Sequence, residues 1–78
     1  MTRKISLIQA KENIKVKVIE LTGGGRLHQK LMSLGVYEGR EITKLSHIGL
    51  KGPVVIRAGR SILALGHGIA SKIIVGAE

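Results

Sequence analysis

The sequence predicts one all-β domain, a small barrel of about five short strands with one short inserted helix. The chain has 78 residues, which is room for a single domain. Its apolar residues are nearly all aliphatic, since Trp and Phe are absent and there is one Tyr. Branched aliphatic residues favour strands. Eleven glycines and one proline divide the apolar residues into short runs, which is typical of small all-β domains.

The N-terminal part of the chain is predicted to contain the first strand. A short apolar start at residues 7–10 is followed by the polar turn Lys11-Glu12-Asn13, in which Asn tolerates the left-handed conformation. Residues 14–18 then alternate between apolar residues and lysines, which indicates a strand with one solvated face. The alternation changes phase at Val18-Ile19, so we expect either a β-bulge or burial on both faces there.

A short helix is predicted at residues 26–34, after the glycine corner at residues 23–25. Three leucines recur at helical spacing and share one face: Leu27, Leu31 and Leu34. Gly35 stands where a left-handed helix end belongs, and Val36 is expected to pack back against the helix. The glycine run lacks the lysine and the spacing of phosphate-binding loops, so we interpret it as a flexible corner.

The C-terminal half is predicted to consist of strands joined by tight turns. In chain order these are a turn at Glu38-Gly39, a strand at residues 40–47, a loop at 48–53, a hairpin of residues 54–58 and 61–65, a turn or a single 3₁₀ turn at 66–71 and a strand at 72–75. The turn Gly59-Arg60 is typical of a type II′ hairpin. It predicts four facing pairs: Val54 with Leu65, Val55 with Ala64, Ile56 with Leu63, and Arg57 with Ile62.

The residue content argues against an enzyme. Cys and Asp are absent, which excludes thiol nucleophiles, disulfides and zinc–thiolate sites. The three histidines, His28, His47 and His67, fall in different predicted elements. No nucleophile therefore has a base and an orienting group beside it, and no histidine pair has the spacing of a metal site. We predict no catalysis, no cofactor and no metal site.

The chain is strongly basic, with 13 Lys and Arg against 5 acidic residues and a net charge of +8. A nucleic acid, an anionic membrane surface or an acidic protein would each suit this charge. The lysines are scattered along the sequence, and aromatic residues for base stacking are nearly absent. Binding of nucleic acid is therefore the alternative to a protein partner, not the main prediction.

The N-terminal segment and the hydropathy indicate where the protein works. The first six residues carry two positive charges, but no apolar run of the length found in signal peptides follows them. No stretch approaches the roughly 18 apolar residues of a membrane span. We therefore expect a soluble, cytoplasmic protein.

The predicted barrel has more apolar residues than one inner face requires. Val55, Ile62 and Ala64 are predicted on the second face of the hairpin, and Ile74 and Val75 are consecutive, so that one of them points away from the core. An exposed aliphatic patch would mark a protein interface, including one between copies of this chain. The other interpretation is that N-terminal residues 5–10 cover the patch.

Several motifs follow one another in an order that is more specific than any of them alone. They are the corner Gly23-Gly24-Gly25, the spacing of Leu27, Leu31, Leu34, Gly35, Val36 and Gly39, the segment Leu50-x-Gly52-Pro53-Val54, the run Leu63-Ala64-Leu65 after a glycine turn, and the ending Ala70-x-Lys72-Ile73-x-Val75. From about Leu7 to Val75 the chain resembles the ferrous-iron transport protein A (FeoA) family. One departure is Lys44, which stands where that family usually has an apolar strand residue.

The resemblance implies an SH3-like barrel and a non-enzymatic accessory role in bacterial ferrous-iron uptake. The partner it implies is a membrane transporter of the FeoB type with a cytoplasmic GTPase domain, which would recruit the protein to the inner face of the membrane. We predict that the helix docks on this partner, seated on the barrel by Leu27 and Leu34. Residues left wholly or partly outward for docking are Arg26, Lys30, Met32 and part of Leu31. The alternative functions are a small basic nucleic-acid-binding barrel and a homo-oligomer.

Overall fold

One antiparallel sheet, with a short helix packed on it, makes up the fold. The computed structural model describes residues 3–49 and 51–77. Within them the strands are β1 (Arg3–Ser6), β2 (Lys15–Leu21), β3 (Glu41–His47), β4 (Val54–Ala58), β5 (Ser61–Leu65) and β6 (Ile73–Ala77). The helices are α1 (Gly25–Ser33) and the single turn α2 (His67–Ala70), and a 3₁₀ turn covers Leu7–Gln9. The strands lie in the order β1-β6-β2-β3-β4-β5.

The predicted all-β class with one inserted helix is confirmed, with differences in the number and length of the elements. Strand β1, which pairs along its length with β6, was not predicted. The sequence segment predicted as a turn at residues 66–71 contains the one-turn helix α2. The predicted loop at residues 48–53 includes Leu50, which lies outside the described residues.

Local turn chemistry places the strands as the sequence predicts. Asn13 adopts a φ of 63°, as expected for the polar turn before β2. The register of β2 against β6 shifts between Val18 and Glu20, which confirms a bulge at the predicted change of phase. In the β4–β5 hairpin all four predicted facing pairs are present. Gly59 at the turn has a φ of 64°, a left-handed conformation that glycine adopts without a steric penalty.

Helix α1 ends in the predicted Schellman motif. The Val36 amide donates to the Leu31 carbonyl at 2.8 Å, and the Gly35 amide donates to the Met32 carbonyl at 3.0 Å. Gly35 has a φ of 92°, which glycine adopts without a steric penalty. These two bonds satisfy helix carbonyls that would otherwise lack partners and turn the chain sharply toward β3.

The core is aliphatic and is enclosed by the inner faces of the strands, by α1 and by the N-terminal segment. Its largest fully buried side chains are Leu7, Leu31, Ile42, Ile56, Ile73, Val18, Val36, Val54 and Val75. Because every one of them is aliphatic, the core has no aromatic side chain to organise its packing. The N-terminal segment contributes to the core itself: Leu7 is fully buried and Ala10 nearly so.

Lys44 is the one charged residue buried among the described residues, with 4% of its surface exposed. Its ammonium group donates to the carbonyl oxygens of Ile8 at 2.8 Å and Ala10 at 2.9 Å. Its backbone carbonyl accepts a hydrogen bond of 2.7 Å from the Asn13 amide. Lys44 therefore fastens the segment between β1 and β2 to β3 at three points.

Burial determines the protonation behaviour of this lysine. Desolvation lowers the pKa of Lys44 below its ordinary value of 10.5, and the nearby Glu12 carboxylate opposes part of that shift. Between the lowered pKa and 10.5 the unfolded chain binds more protons at this residue than the folded chain does. The free energy of unfolding therefore rises with pH across that window.

Replacing Gly35 by Ala should lower the free energy of unfolding by about 1–2 kcal/mol, because the new Cβ makes a φ of 92° strained. Nothing lies within 4 Å of that Cβ, so strain alone causes the loss. Gly68→Ala in α2 is the matched control, since its Cβ also meets nothing within 4 Å but its φ is ordinary. It should be neutral or stabilising by up to about 1 kcal/mol. Urea unfolding measures both; equal losses would contradict the assignment.

Replacing Lys44 by Met should lower the free energy of unfolding at pH 7 by about 1–3 kcal/mol, because the buried Ala10 carbonyl loses its donor. Urea unfolding followed from pH 7 to pH 11 should also show the deficit of the variant growing as the pH approaches 10.5, since only the parent protein gains stability from Lys44 there. Lys17→Met, at an exposed lysine of β2, is the control and should change stability by no more than about 0.5 kcal/mol. A deficit that is independent of pH would contradict the lowered pKa.

Candidate interaction surfaces

The outer face of α1 carries most of the residues predicted to contact a partner. Arg26 and Lys30 are exposed, as predicted, and Met32 exposes 58% of its surface. The structure thus places these three side chains where a partner could reach them, and their role in binding remains a prediction.

The predicted position of Leu31 is wrong. Leu31 is 1% exposed and sits in the core, so no part of it faces outward, whereas Leu34 is 37% exposed and does not seat the helix. The cause is the helix end. Leu34 is the C-cap, with φ −90° and ψ −1°, and the chain has already left the regular helix there. Leu27 and Leu31, one turn apart, seat α1 on the sheet instead.

Beside α1 lies a shallow groove of about 510 Å³ lined by His28, Met32, Tyr37 and Glu38. Tyr37 is 36% exposed, and the His28 Nε2 atom lies 4.0 Å from the Glu38 carboxylate. We call this the α1 groove. Its floor offers a flexible methionine and a tyrosine ring, both of which are common anchors at protein interfaces.

Arg40 fixes the orientation of Tyr37. The Arg40 guanidinium donates a hydrogen bond of 2.9 Å to the Tyr37 hydroxyl, and its Cζ atom lies 5.5 Å from the centre of the tyrosine ring. The contact combines a hydrogen bond with a cation–π attraction. The one tyrosine of the chain is thus held in place and is already in contact with a cation on one side.

A second surface, which the sequence did not predict, runs across the outside of the sheet. Two adjoining depressions of about 530 Å³ and 560 Å³ share Lys15 and Glu41 as lining residues. We call them together the basic groove, because their linings contain six cationic side chains: Arg3, Lys11, Lys15, Lys17, Arg40 and Arg57. Ile14, 50% exposed, adds an apolar contact.

Strand register creates the basic groove from residues that are far apart in the sequence. Lys15 of β2 faces Thr43 of β3, and Thr43 faces Arg57 of β4. Side chains in one such row lie on the same face of the sheet, so Lys15 and Arg57 share the outer face. The alternation of β2 predicted that Lys15 and Lys17 face outward, but their basic neighbours depend on pairing, which a single sequence does not reveal.

The α1 groove and the basic groove meet at Tyr37, which lines both. Among the described residues, Glu38 and Glu41 are the carboxylates along this combined surface. It therefore presents an apolar anchor at one end and a field of positive charge over the rest.

The histidines are arranged differently from what the sequence suggested. His28 lies on α1 by itself, but His47 and His67 come together, with ring centroids 6.0 Å apart. Across residues 3–49 and 51–77, no group of three or more His, Asp and Glu side chains is placed to hold a metal ion. The hydroxyl groups of Thr22, Ser33 and Ser71 donate to the backbone carbonyls of Lys72, Lys30 and Gly68.

The apolar residues predicted on the outer faces of the strands are only partly buried. Ile62 on the outer face of β5 remains 61% exposed, whereas Val55 and Ile74 are half-buried. The N-terminal residues 5–10 pack into the core and against β6, so they do not cover Ile62.

For the described residues, none of the helices has the length and apolar character needed to cross a membrane.

A small antiparallel sheet of six short strands with one inserted helix defines a small SH3-like domain. A family model, described as the FeoA domain, matches residues 5–77. The chain therefore belongs to the FeoA family, whose members are accessory proteins of ferrous-iron uptake.

Solved structures agree with this assignment. The crystal structure of an iron uptake regulatory protein (FeoA) is 29% identical, with a TM-score of 0.83, and the match covers 96% of this chain and 99% of that one. The FeoA-like protein of Clostridium acetobutylicum is also 29% identical, with a TM-score of 0.80 over 96% of this chain and 87% of that one.

The same fold occurs inside larger proteins. A manganese-dependent transcriptional repressor superposes with a TM-score of 0.87 at 14% identity, over 100% of this chain and 44% of that one. At that identity the likeness shows the fold alone. No functionally curated protein matches the sequence.

Proposed function

We propose that this protein is a non-enzymatic accessory that docks on the cytoplasmic part of a FeoB-type ferrous-iron transporter and modulates transport. The observation that carries the proposal is the outer surface of α1, where Met32 is 58% exposed and the basic residues Arg26 and Lys30 are exposed as well. Membership of a ferrous-iron uptake family supports the choice of partner. Docking there would hold the protein in the cytoplasm at the inner face of the membrane.

The chemistry of the α1 groove favours a protein partner. Met32 and Tyr37 line the groove and offer apolar surface that can be buried against a partner, and Arg26 and Lys30 are exposed on the same helix as Met32. Apolar anchors at the centre of an interface supply most of the affinity, whereas rim charges mainly raise the association rate. The complementary surface is therefore acidic around a small apolar projection.

The basic groove extends this interface. Because it meets the α1 groove at Tyr37, a partner seated on α1 lies next to six cationic side chains. A concentrated positive field accelerates encounter with an acidic surface and makes the rate sensitive to salt. The groove thus adds orientation and speed to a contact whose strength resides on α1.

The double variant Arg26→Glu and Lys30→Glu should weaken binding to the purified cytoplasmic region of the transporter by about tenfold or more, without loss of fold, because both residues are exposed. Titration calorimetry measures the affinity, and circular dichroism checks the fold. The matched control is Lys51→Glu with Arg60→Glu, which makes the same change in net charge at two exposed residues that lie outside α1 and line neither groove. Unchanged affinity in the first variant, or an equal loss in the control, would remove α1 as the docking element.

Binding of nucleic acid is the second candidate function, and the basic groove is the observation that favours it. Six clustered cations suit contacts with phosphates. Against it stands the shortage of stacking platforms, since Tyr37 is the one aromatic ring of the Phe, Trp and Tyr class and already contacts Arg40.

A pull-down from membrane extract with the tagged protein separates the two functions. Recovery of a GTPase-bearing membrane protein, retained after nuclease treatment and at moderate salt, is the outcome expected for the accessory. Recovery of nucleic acid that nuclease abolishes, with no membrane protein, would establish the nucleic-acid-binding barrel instead. In that case affinity should also fall steeply with salt, because phosphate contacts release counterions.

A further inference from the structure

Two histidines from distant parts of the sequence converge at one end of the sheet. His47 is the last residue of β3, and His67 is the first residue of α2. Their ring centroids lie 6.0 Å apart, with the ring planes inclined by 32°. Both residues are half-buried, so the pair belongs to the boundary between core and solvent.

Strand pairing explains the convergence. His47 faces Val54 of β4, and Val54 faces Leu65 of β5. Val54 and Leu65 are both buried, so His47 lies on the inner face of the sheet. The chain leaves β5 after Leu65 and enters α2 two residues later, which places the ring of His67 beside that of His47.

One nitrogen of the pair lacks a partner. The Nε2 atom of His47 is buried, and no hydrogen-bond partner lies within reach of it among residues 3–49 and 51–77. A buried polar atom without a partner destabilises a fold, so such atoms are rare unless they bind something. An imidazole nitrogen that does not carry the proton is also a common ligand for transition metals.

We propose that His47 and His67 form a two-histidine site for a divalent first-row transition-metal ion. The distance supports a shared ion. With metal–nitrogen bonds of about 2.0–2.1 Å, two ligating rings have centroids about 5.2 Å apart at a tetrahedral angle and about 6.4 Å apart when opposed. The observed separation of 6.0 Å lies between these limits. An ion held between the two rings would supply the partner that Nε2 of His47 lacks.

The surroundings determine which ions the site takes and how firmly. Imidazole ligands suit Zn²⁺, Cu²⁺, Ni²⁺ and Fe²⁺, with affinity rising from Fe²⁺ to Cu²⁺. Within the described residues no third His, Asp or Glu joins the pair, and the net charge of the chain is +8. Binding is therefore weak and exchangeable, with water or a ligand from another molecule in the remaining coordination positions.

Proton nuclear magnetic resonance of the untagged protein tests the site, because the chain has only three histidines and their imidazole signals can be followed individually. Titration with Zn²⁺ should shift the signals of His47 and His67 together, whereas the signals of His28 should stay. Substoichiometric Cu²⁺ should broaden the same two sets first, at lower concentration than Zn²⁺ requires. Both effects should weaken as the pH falls, because protons compete for the ligating nitrogens.

Two matched variants complete the experiment. His67→Asn should reduce the apparent affinity by about tenfold or more, because the remaining histidine loses its chelating partner. Asparagine is tolerated at a helix start, and the spectrum of the variant reports whether the fold is kept. His28→Asn is the control and should bind Zn²⁺ as the parent does. Equal responses of all three histidines, or a His47 response of unchanged affinity in His67→Asn, would overturn the site.

Discussion

The ammonium group of Lys44 connects the two parts of the fold that local structure does not connect. Residues 11–14, which lead into β2, contain no strand or helix. Strand β1 is separated from β2 in the sheet by β6, so the two consecutive strands do not pair with each other. Lys44 donates to the carbonyls of Ile8 and Ala10 from within the core and anchors Asn13 through its own carbonyl. A buried charge is costly unless its hydrogen bonds are satisfied. Here the cost of burial, which lowers the pKa of Lys44, is offset by two bonds to carbonyls that would otherwise have no donor.

The features that could be predicted from the sequence are those that depend on residues close together in the chain. The hairpin register was predictable because Gly59-Arg60 determines it within two residues of the turn, and the Schellman end of α1 was predictable from Gly35 and Val36. Strand β1 was not predictable, because its residues lack alternation and pair with the other end of the chain. Leu31 was predicted to face partly outward and Leu34 to seat the helix, but their positions are reversed. The error arose at the helix terminus, where periodicity no longer determines the direction of a side chain.

The candidate sites also differ in whether they depend on local spacing or on pairing between distant strands. The exposure of Arg26, Lys30 and Met32 followed from helical spacing alone. The basic groove and the histidine pair both needed cross-strand partners: Lys15 acquires Arg57 through Thr43, and His47 acquires its inner-face position through Val54. Lysines that look scattered along the chain are therefore clustered in space, and histidines that fall in different elements are neighbours.

The joining of the two grooves at Tyr37 has a consequence for how such a domain could bind a partner. Six cations on one face repel one another, and that repulsion destabilises the isolated domain slightly. An acidic partner relieves it, so part of the binding free energy comes from charges that need not touch the partner directly. The apolar contact on α1 is short-ranged and insensitive to salt, whereas this relief is long-ranged and screened. On the proposed docking surface, the charges would therefore set the speed of encounter and the apolar contact the lifetime of the complex.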